Sequence, residues 1–295
     1  MILVRMIFPD YFADAEADFN KAEFVIFGVP YGKISSFRHG VEKAPKEIRQ
    51  ASWNFETYDL RTGLDLKDIQ VHDYGNLDVD NLGYEEMVEK VKSFTSSLVT
   101  VDKFPIALGG QHSITPGIVK AFSEDTAVLF LDAHMDYRER YESNMYNHAC
   151  AMRRVADHID IGNIAMLGVR SAEKEEFNDA KTAGLFYRDA FSIRKNGVSE
   201  TIKDTKRYLK DKKIYLTLDI DVIDPAYAPG TSTPEPFGLT PFDVLEVVEA
   251  FSQQLVGFDV VEVCPAYDHG ETSLLAAKLI RLLIGAVWNK QHIKK

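Results

Sequence analysis

The chain has 295 residues, ordinary for one large α/β domain. Its apolar share of 45% and charged share of 27% are globular values and exclude a disordered chain. A net charge of −11 argues against nucleic acid as the main partner, because phosphate binding needs a basic surface.

The start, MILVRMIFPD, places an arginine inside a very short apolar stretch and lacks a small-residue cleavage site, so it makes a poor signal peptide. No apolar run approaches the roughly 20 residues of a membrane helix, so no membrane partner is expected. The first strand is predicted at Glu23–Val29. A helix is predicted at Tyr84–Leu98, where Met87, Val88, Val91 and Leu98 stand among charges. Strands follow at Pro105–Leu108, Ala127–Leu131 and Ile164–Val169. A lysine-rich helix at Thr201–Leu209 precedes a strand at Ile214–Leu218. The helix predicted at Pro241–Leu255 opens on a capping pattern, with Thr240 before Pro241 and Asp243 in the first turn. A strand at Gly257–Val263 and a helix at Glu271–Val287 close the chain. Strand alternating with helix predicts a mostly parallel sheet covered on both faces. With no linker, repeat or low-complexity stretch, residues 1–295 read as one domain. Cys150 and Cys264 have neither disulfide-framework density nor C-x-x-C spacing, which fits a reducing cytoplasm.

Three of the predicted strands run into metal-ligand residue types. Pro105–Leu108 leads to Gly109-Gly110-Gln111-His112, Ala127–Leu131 to Asp132-Ala133-His134-Met135-Asp136, and Ile214–Leu218 to Asp219-Ile220-Asp221. In a parallel α/β sheet ligands bind at the carboxyl ends of the strands, so three segments deliver acids and imidazoles to one sheet edge. Alternation at i and i+2 predicts that Asp132, His134 and Asp136 share one face of an extended chain, and likewise Asp219 and Asp221. Each motif alone is more often a solvated turn or a structural histidine. Together, four aspartates at one edge would repel severely without cations. Two divalent ions bring a formal charge matching the four carboxylates. A set of carboxylates and imidazoles without thiolate suits Mn²⁺, with Co²⁺, Fe²⁺, Ni²⁺ or Zn²⁺ as possible substitutes. Two such ions about 3.5–4 Å apart can lower the pKa of a shared water toward neutrality.

GGQHSIT, DAHMD, LDIDVIDPAYAPGTSTPEPFGLT and VEVCPAYD resemble the signature segments of the arginase–agmatinase ureohydrolases. GVPYGKISSFRHGVEKAP resembles the agmatinase branch. The likeness is collinear from about Phe24 to Ile284. It implies a three-layer α/β/α fold of the arginase type, a binuclear manganese centre and a homo-oligomer, either trimer or hexamer. Carried over by residue, His112 and Asp136 look like ligands of one ion, His134 and Asp221 of the other, and Asp132 and Asp219 like bridges. His148 resembles the family's proton-shuttling histidine at the site mouth, and Glu262 the carboxylate that holds a substrate guanidinium. Two positions depart from the usual pattern. Gln111 replaces an acidic residue, which bears on metal preference, and Ser232 replaces a common glycine in the active-site loop.

The expected partner is therefore a small cationic guanidino compound. A guanidinium is a poor electrophile and needs a strong nucleophile. The departing amine must be protonated, with Asp136 and His148 as the groups to move protons. Glu262 can accept two N–H bonds from the planar cation; its structural alternative is a buried glutamate satisfied by lysine or backbone. Arg138, Tyr141 and Asn144 are expected in the mouth, with Glu139 and Glu142 favouring a substrate that ends in an ammonium, as agmatine does. Arg138 or Arg140 could instead pair with a substrate carboxylate. His39, His72, His158 and His292 read as surface or structural, and His269 as a group near the site. The leading expectation is hydrolysis of agmatine to putrescine and urea. The alternatives are arginase, guanidinobutyrase, aminopropylagmatine ureohydrolase or formiminoglutamase activity, or a non-catalytic metal-binding relative.

Overall fold

The computed structural model describes residues 8–33 and 36–292, apart from the side chain of Gln291. Most of the segment read as a poor signal peptide, residues 1–7, lies outside this set, as do Ile34 and Ser35 of the agmatinase-like tract. In chain order the elements are β1 (Phe24–Val29), α1 (Ala44–Ser52), β2 (Tyr58–Asp59), β3 (Leu64–Asp65), β4 (Val71–Asn76), α2 (Tyr84–Val99), β5 (Phe104–Gly109) and α3 (Thr115–Val119). Next come β6 (Ala127–Leu131), α4 (Ala151–Ala156), β7 (Ile164–Val169), α5 (Lys174–Ala183), β8 (Phe186–Asp189), α6 (Ala190–Asn196) and α7 (Val198–Leu209). The chain ends through β9 (Ile214–Asp219), α8 (Pro241–Phe251), β10 (Leu255–Val261) and α9 (Glu271–His292).

Eight strands form one sheet in the order β4-β1-β5-β10-β9-β6-β7-β8, and every pairing in it is parallel. Strands β1, β5, β6, β7 and β9 are buried along their whole length, and β10 at all but Val256, because both faces are covered. Strand periodicity divides the apolar residues between two cores. Phe24, Ile26, Leu129, Leu131, Leu216 and Leu218 face the core that packs under α1 and α6 to α9. Val25, Phe27, Val128, Phe130 and Tyr215 face the one under α2 to α5. The result is a three-layer α/β/α fold. Among the described residues no helix is long and apolar enough to cross a membrane.

The six predicted strands are all present, but the last is β10, which stops at Val261 rather than Val263. The predicted helix to Leu255 stops at Phe251, because Leu255 starts β10. Its start forms as expected: the Thr240 hydroxyl accepts the Asp243 N–H at 3.2 Å, and the Asp243 carboxylate accepts the Thr240 N–H at 2.9 Å. The sheet has two further strands, β4 and β8, which are its edges. Their sequences, VHDYGN and FYRD, are polar and only partly buried, so they lack the continuous apolar run that marks a central strand.

Candidate metal centre

The four middle strands of the sheet, β5, β10, β9 and β6, lie side by side. Their carboxyl ends lead to His112, Glu262, Asp219 with Asp221, and Asp132 with His134 and Asp136. Strand order, not sequence proximity, assembles the centre.

The alternation argument does not describe how these ligand types converge. β6 ends at Leu131, and Asp136 has a left-handed backbone (φ 48°). Asp219 closes β9 and caps a single 3-10 turn at Ile220–Val222, accepting the Asp221 N–H at 2.9 Å. Looped backbone therefore turns the side chains together, and local hydrogen bonds hold it. Asp132 accepts the His134 N–H at 2.7 Å, and Asp221 accepts the Ala133 N–H at 3.0 Å. Gly110 is needed for close approach, because a Cβ there would meet the Tyr31 carbonyl oxygen at 2.2 Å.

Among the described residues, two groups of donor atoms are close enough to hold a metal ion each: His112, Asp132 and Asp136, and Asp132, His134 and Asp221. Asp132 belongs to both. His112 Nδ1 faces Asp132 Oδ2 at 3.1 Å, Asp136 Oδ2 at 3.3 Å and Asp219 Oδ2 at 3.4 Å. His134 Nδ1 lies 2.8 Å from Asp221 Oδ2 and 4.0 Å from Asp132 Oδ1. Asp219 thus reaches the first group through His112 but falls within neither. His112 Nδ1 and Asp132 Oδ2 are buried, and among the described residues neither has a hydrogen-bond partner. Orphaned buried polar atoms are costly, and two of them aimed at each other's surroundings fit a cation that both would ligate.

His112 is held from behind. Its Nε2 lies 3.0 Å from Thr217 Oγ1, and Thr217 donates to Asp259 at 2.5 Å. With Thr217 donating onward, its oxygen can accept Nε2–H, which leaves the Nδ1 lone pair facing the three aspartates. Asp259 is fully buried and also accepts from Tyr215 at 2.8 Å and Thr115 at 2.9 Å. The sequence reading missed this column. The signal was there: one aspartate inside the otherwise apolar run of β10.

The charges respond to this crowding. Burial, then Asp136 and Asp221, push the Asp132 carboxyl up to about 7. Burial followed by Asp221 and Asp132 holds Asp219 well above the carboxylate range. Burial disfavours a charged His134, but Asp221 and Asp132 outweigh it and raise the imidazole to about 10. Burial would likewise raise Asp221, but His134 holds it below its usual value.

These directions set a pH dependence for the metal-free protein. His134 binds its proton more tightly folded than unfolded, so its stabilisation is complete below about 6.5 and drains away as pH rises toward about 10. Asp132 acts in the same direction from about 4 up to about 7. Asp221 contributes the other way, but only in acid, outside this window. Metal binding must displace the same protons. The melting temperature of chelator-stripped protein should therefore fall between about pH 5.5 and about pH 9, while the increment from added Mn²⁺ grows. Calorimetry on both forms checks this; a stripped protein that gains stability across that range would contradict it.

The loops that carry these donor groups line a cavity of about 220 Å³. Its carboxylates are Asp136, Asp219, Asp221, Glu176, Glu235 and Glu262, and its one guanidinium among the described residues is Arg138. Glu262 accepts the His112 N–H at 2.7 Å and the Ser232 hydroxyl. His148 lines the mouth, its Nε2 2.8 Å from Ser36 Oγ and its Nδ1 3.5 Å from Gln111 Nε2. Arg170, behind the site, donates to the carbonyls of Asp221 and Glu235, each at 2.6 Å, and so ties two loops together.

The sequence-derived mouth is partly redrawn. Tyr141 and Arg138 line the cavity, whereas Asn144 does not. Arg138 binds Glu173 at 2.9 Å, lies 3.5 Å from Glu176 and stacks over Tyr141. Glu139 turns away to Arg153 and Arg154, and Glu142 is exposed, so the acids in the mouth are Glu176 and Glu235. Arg140 is exposed outside the cavity. None of His39, His72, His158, His269 and His292 lines it.

The profile of the arginase family matches residues 22–285. The chain belongs to the arginase family. Within that family it is similar to the agmatinase of Bacillus cereus, with 34% identity over 94% of this chain and 96% of that protein. It is as similar to the N(1)-aminopropylagmatine ureohydrolase of Thermococcus kodakarensis, with 34% identity over 91% and 92% of the two chains. The crystal structure of the agmatine ureohydrolase of Thermoplasma volcanium superposes with a TM-score of 0.92, at 40% identity and 98% coverage of both chains. The arginase-family fold and the cluster at the carboxyl ends of its middle strands thus occur together in this chain.

Proposed function

We propose that this arginase-family chain is a binuclear manganese hydrolase that converts agmatine to urea and putrescine. The observation that carries the choice of substrate is the charge of the cavity. Among the described residues six carboxylates line it, and its one arginine, Arg138, is already engaged by Glu173 and Glu176. A substrate carboxylate entering this mouth would meet anions and, among the described residues, an arginine already paired, whereas an ammonium would meet Glu235, since Glu176 is occupied by the Tyr137 and Glu173 N–H groups and Arg138. A site without partners for a buried group rejects it.

In this reading His112 and Asp136 would hold one ion and His134 and Asp221 the other, with Asp132 contributing to both groups and Asp219 standing beside His112 as a further ligand. When bound, the two ions supply Lewis acidity that brings the pKa of a shared water toward neutrality. Glu262 binds and orients the guanidinium through its carboxylate. Asp136 takes a proton from the attacking water. His148, at the mouth, passes a proton between solvent and the departing amine, with Ser36 fixing its ring. Charge neutralisation by the aspartates completes the site.

The test is urea release from agmatine, aminopropylagmatine, arginine and guanidinobutyrate at equal Mn²⁺ loading. Agmatine is expected to exceed arginine in kcat/KM by about 100-fold or more, the scale of leaving one charged group unpaired. A higher kcat/KM for arginine or guanidinobutyrate would overturn the choice of substrate. Aminopropylagmatine as the best substrate would keep the cationic-tail reading and move the assignment to the longer amine.

A further inference from the structure

Ser232 has no part in the chemistry above, yet it touches the residue that grips the guanidinium. Glu262 follows β10 in a left-handed conformation (φ 63°), unusual for a residue with a side chain. Its backbone is clamped on both sides: its N–H donates to the Gly110 carbonyl at 2.9 Å, and its carbonyl accepts from Thr231 Oγ1 at 3.1 Å. Its carboxylate is clamped as well. One oxygen takes the His112 N–H at 2.7 Å and the other takes the Ser232 hydroxyl. Ser232 and Glu262 are each only 4% exposed.

The loop bearing Ser232 is itself held. Arg38 donates to the carbonyls of Pro229 at 2.8 Å and Thr231 at 3.2 Å, and the Cys264 N–H binds the Gly230 carbonyl at 2.6 Å. Thr272 Oγ1 accepts the Gly230 N–H at 2.8 Å. The hydroxyl is therefore delivered from a fixed backbone.

A carboxylate offers about four acceptor sites, two on each oxygen. The His112 N–H and the Ser232 hydroxyl take one on each, leaving one on each for a substrate. A serine hydroxyl has a single hydrogen, and here Glu262 takes it. The Ser232 oxygen, which lines the cavity, then presents only lone pairs, and a guanidinium presents only N–H donors. We infer that Ser232 is a positioning residue that sets the plane of the Glu262 carboxylate for forked binding of a guanidinium and offers that cation a further acceptor. This rests on the proposed reading of Glu262 as the guanidinium-binding group.

Three variants of the full, Mn²⁺-loaded chain separate this from a packing role. Ser232→Ala keeps the Cβ but removes the donor. Ser232→Gly removes both and opens space for a water that can donate to Glu262 in its place. Ser232→Thr keeps the hydroxyl. Ser232→Ala should lose about 10- to 100-fold in kcat/KM, the worth of one hydrogen bond to a charged group, with most of the loss in kcat. Ser232→Thr should recover most of it, and Ser232→Gly should be more active than Ser232→Ala although it melts lower. Metal content should match wild type in all three. Activity that follows melting temperature, with alanine above glycine, would reduce Ser232 to packing, and wild-type kcat/KM in Ser232→Ala would overturn the inference; both leave the functional reading intact. A wild-type chain that releases urea from no guanidine would overturn that reading, and this inference with it.

Discussion

Asp132→Asn is expected to lose metal and activity together. Asp132 is the one residue in both donor groups, with Oδ2 toward His112 and Oδ1 toward His134. The amide keeps the shape and still accepts the His134 N–H through its oxygen. It cannot place an anion on both sides, because one oxygen becomes an NH₂ with hydrogens aimed at the space a cation would fill. In a wholly buried position solvent cannot make up for the lost anion, and Asp132 belongs to both donor groups, so both ions should be weakened and not only one. We expect elemental analysis of folded Asp132→Asn to find less than about one tenth of wild-type occupancy at micromolar Mn²⁺, since losing one charge-assisted ligand contact costs about 1.5–3 kcal/mol for each ion. Urea release should fall in parallel. Two ions per chain in the purified variant would remove Asp132 from the ligand set.

Glu262→Gln is expected to do the opposite, keeping metal while losing turnover. Glu262 lies in neither donor group, and its contacts are with the His112 N–H and Ser232. The glutamine amide can satisfy one of those donors with its oxygen. With that oxygen on the His112 N–H, the NH₂ faces Ser232, whose hydroxyl can turn to accept it, but it also faces the N–H edge of a guanidinium, which cannot accept, so one arm of the fork becomes repulsive. Two charge-assisted hydrogen bonds are worth about 3–6 kcal/mol together, so kcat/KM should fall by about 10²–10⁴-fold. Metal content and melting temperature should stay near wild type. Unchanged turnover would show that another carboxylate in the cavity grips the substrate.

Much of this centre could be read from the linear chain. Each of these segments directly follows a short strand-length run of mostly apolar residues, and that pattern marks a buried parallel strand even in isolation. The acids and imidazoles at the ends of β5, β6 and β9 stand out because such groups rarely adjoin buried strands. The edge strands β4 and β8 were not legible, because half-exposed polar strands carry no such contrast. The mouth was misread for a different reason. Glu139 and Glu142 are near the ligands in sequence, but the loop turns Glu139 onto Arg153 and Arg154, whereas Glu176 and Glu235 arrive from distant segments.

The sequence by itself determined which elements form and which residue types stand at their ends, since burial periodicity and capping act over a few residues. Only the tertiary structure decided which of those ends meet. β5 and β10, neighbours in the sheet, are about 150 residues apart, as the His112–Glu262 contact records. The column from His112 through Thr217 to Asp259 joins the turn after β5 to β9 and β10, which no local pattern links. The Ser232–Glu262 and Ser36–His148 contacts likewise depend on loops from separate strands closing over one edge. Strand order is chosen by the packing of two apolar faces over the whole sheet, so the contacts it creates are a property of the assembled layers and not of any segment.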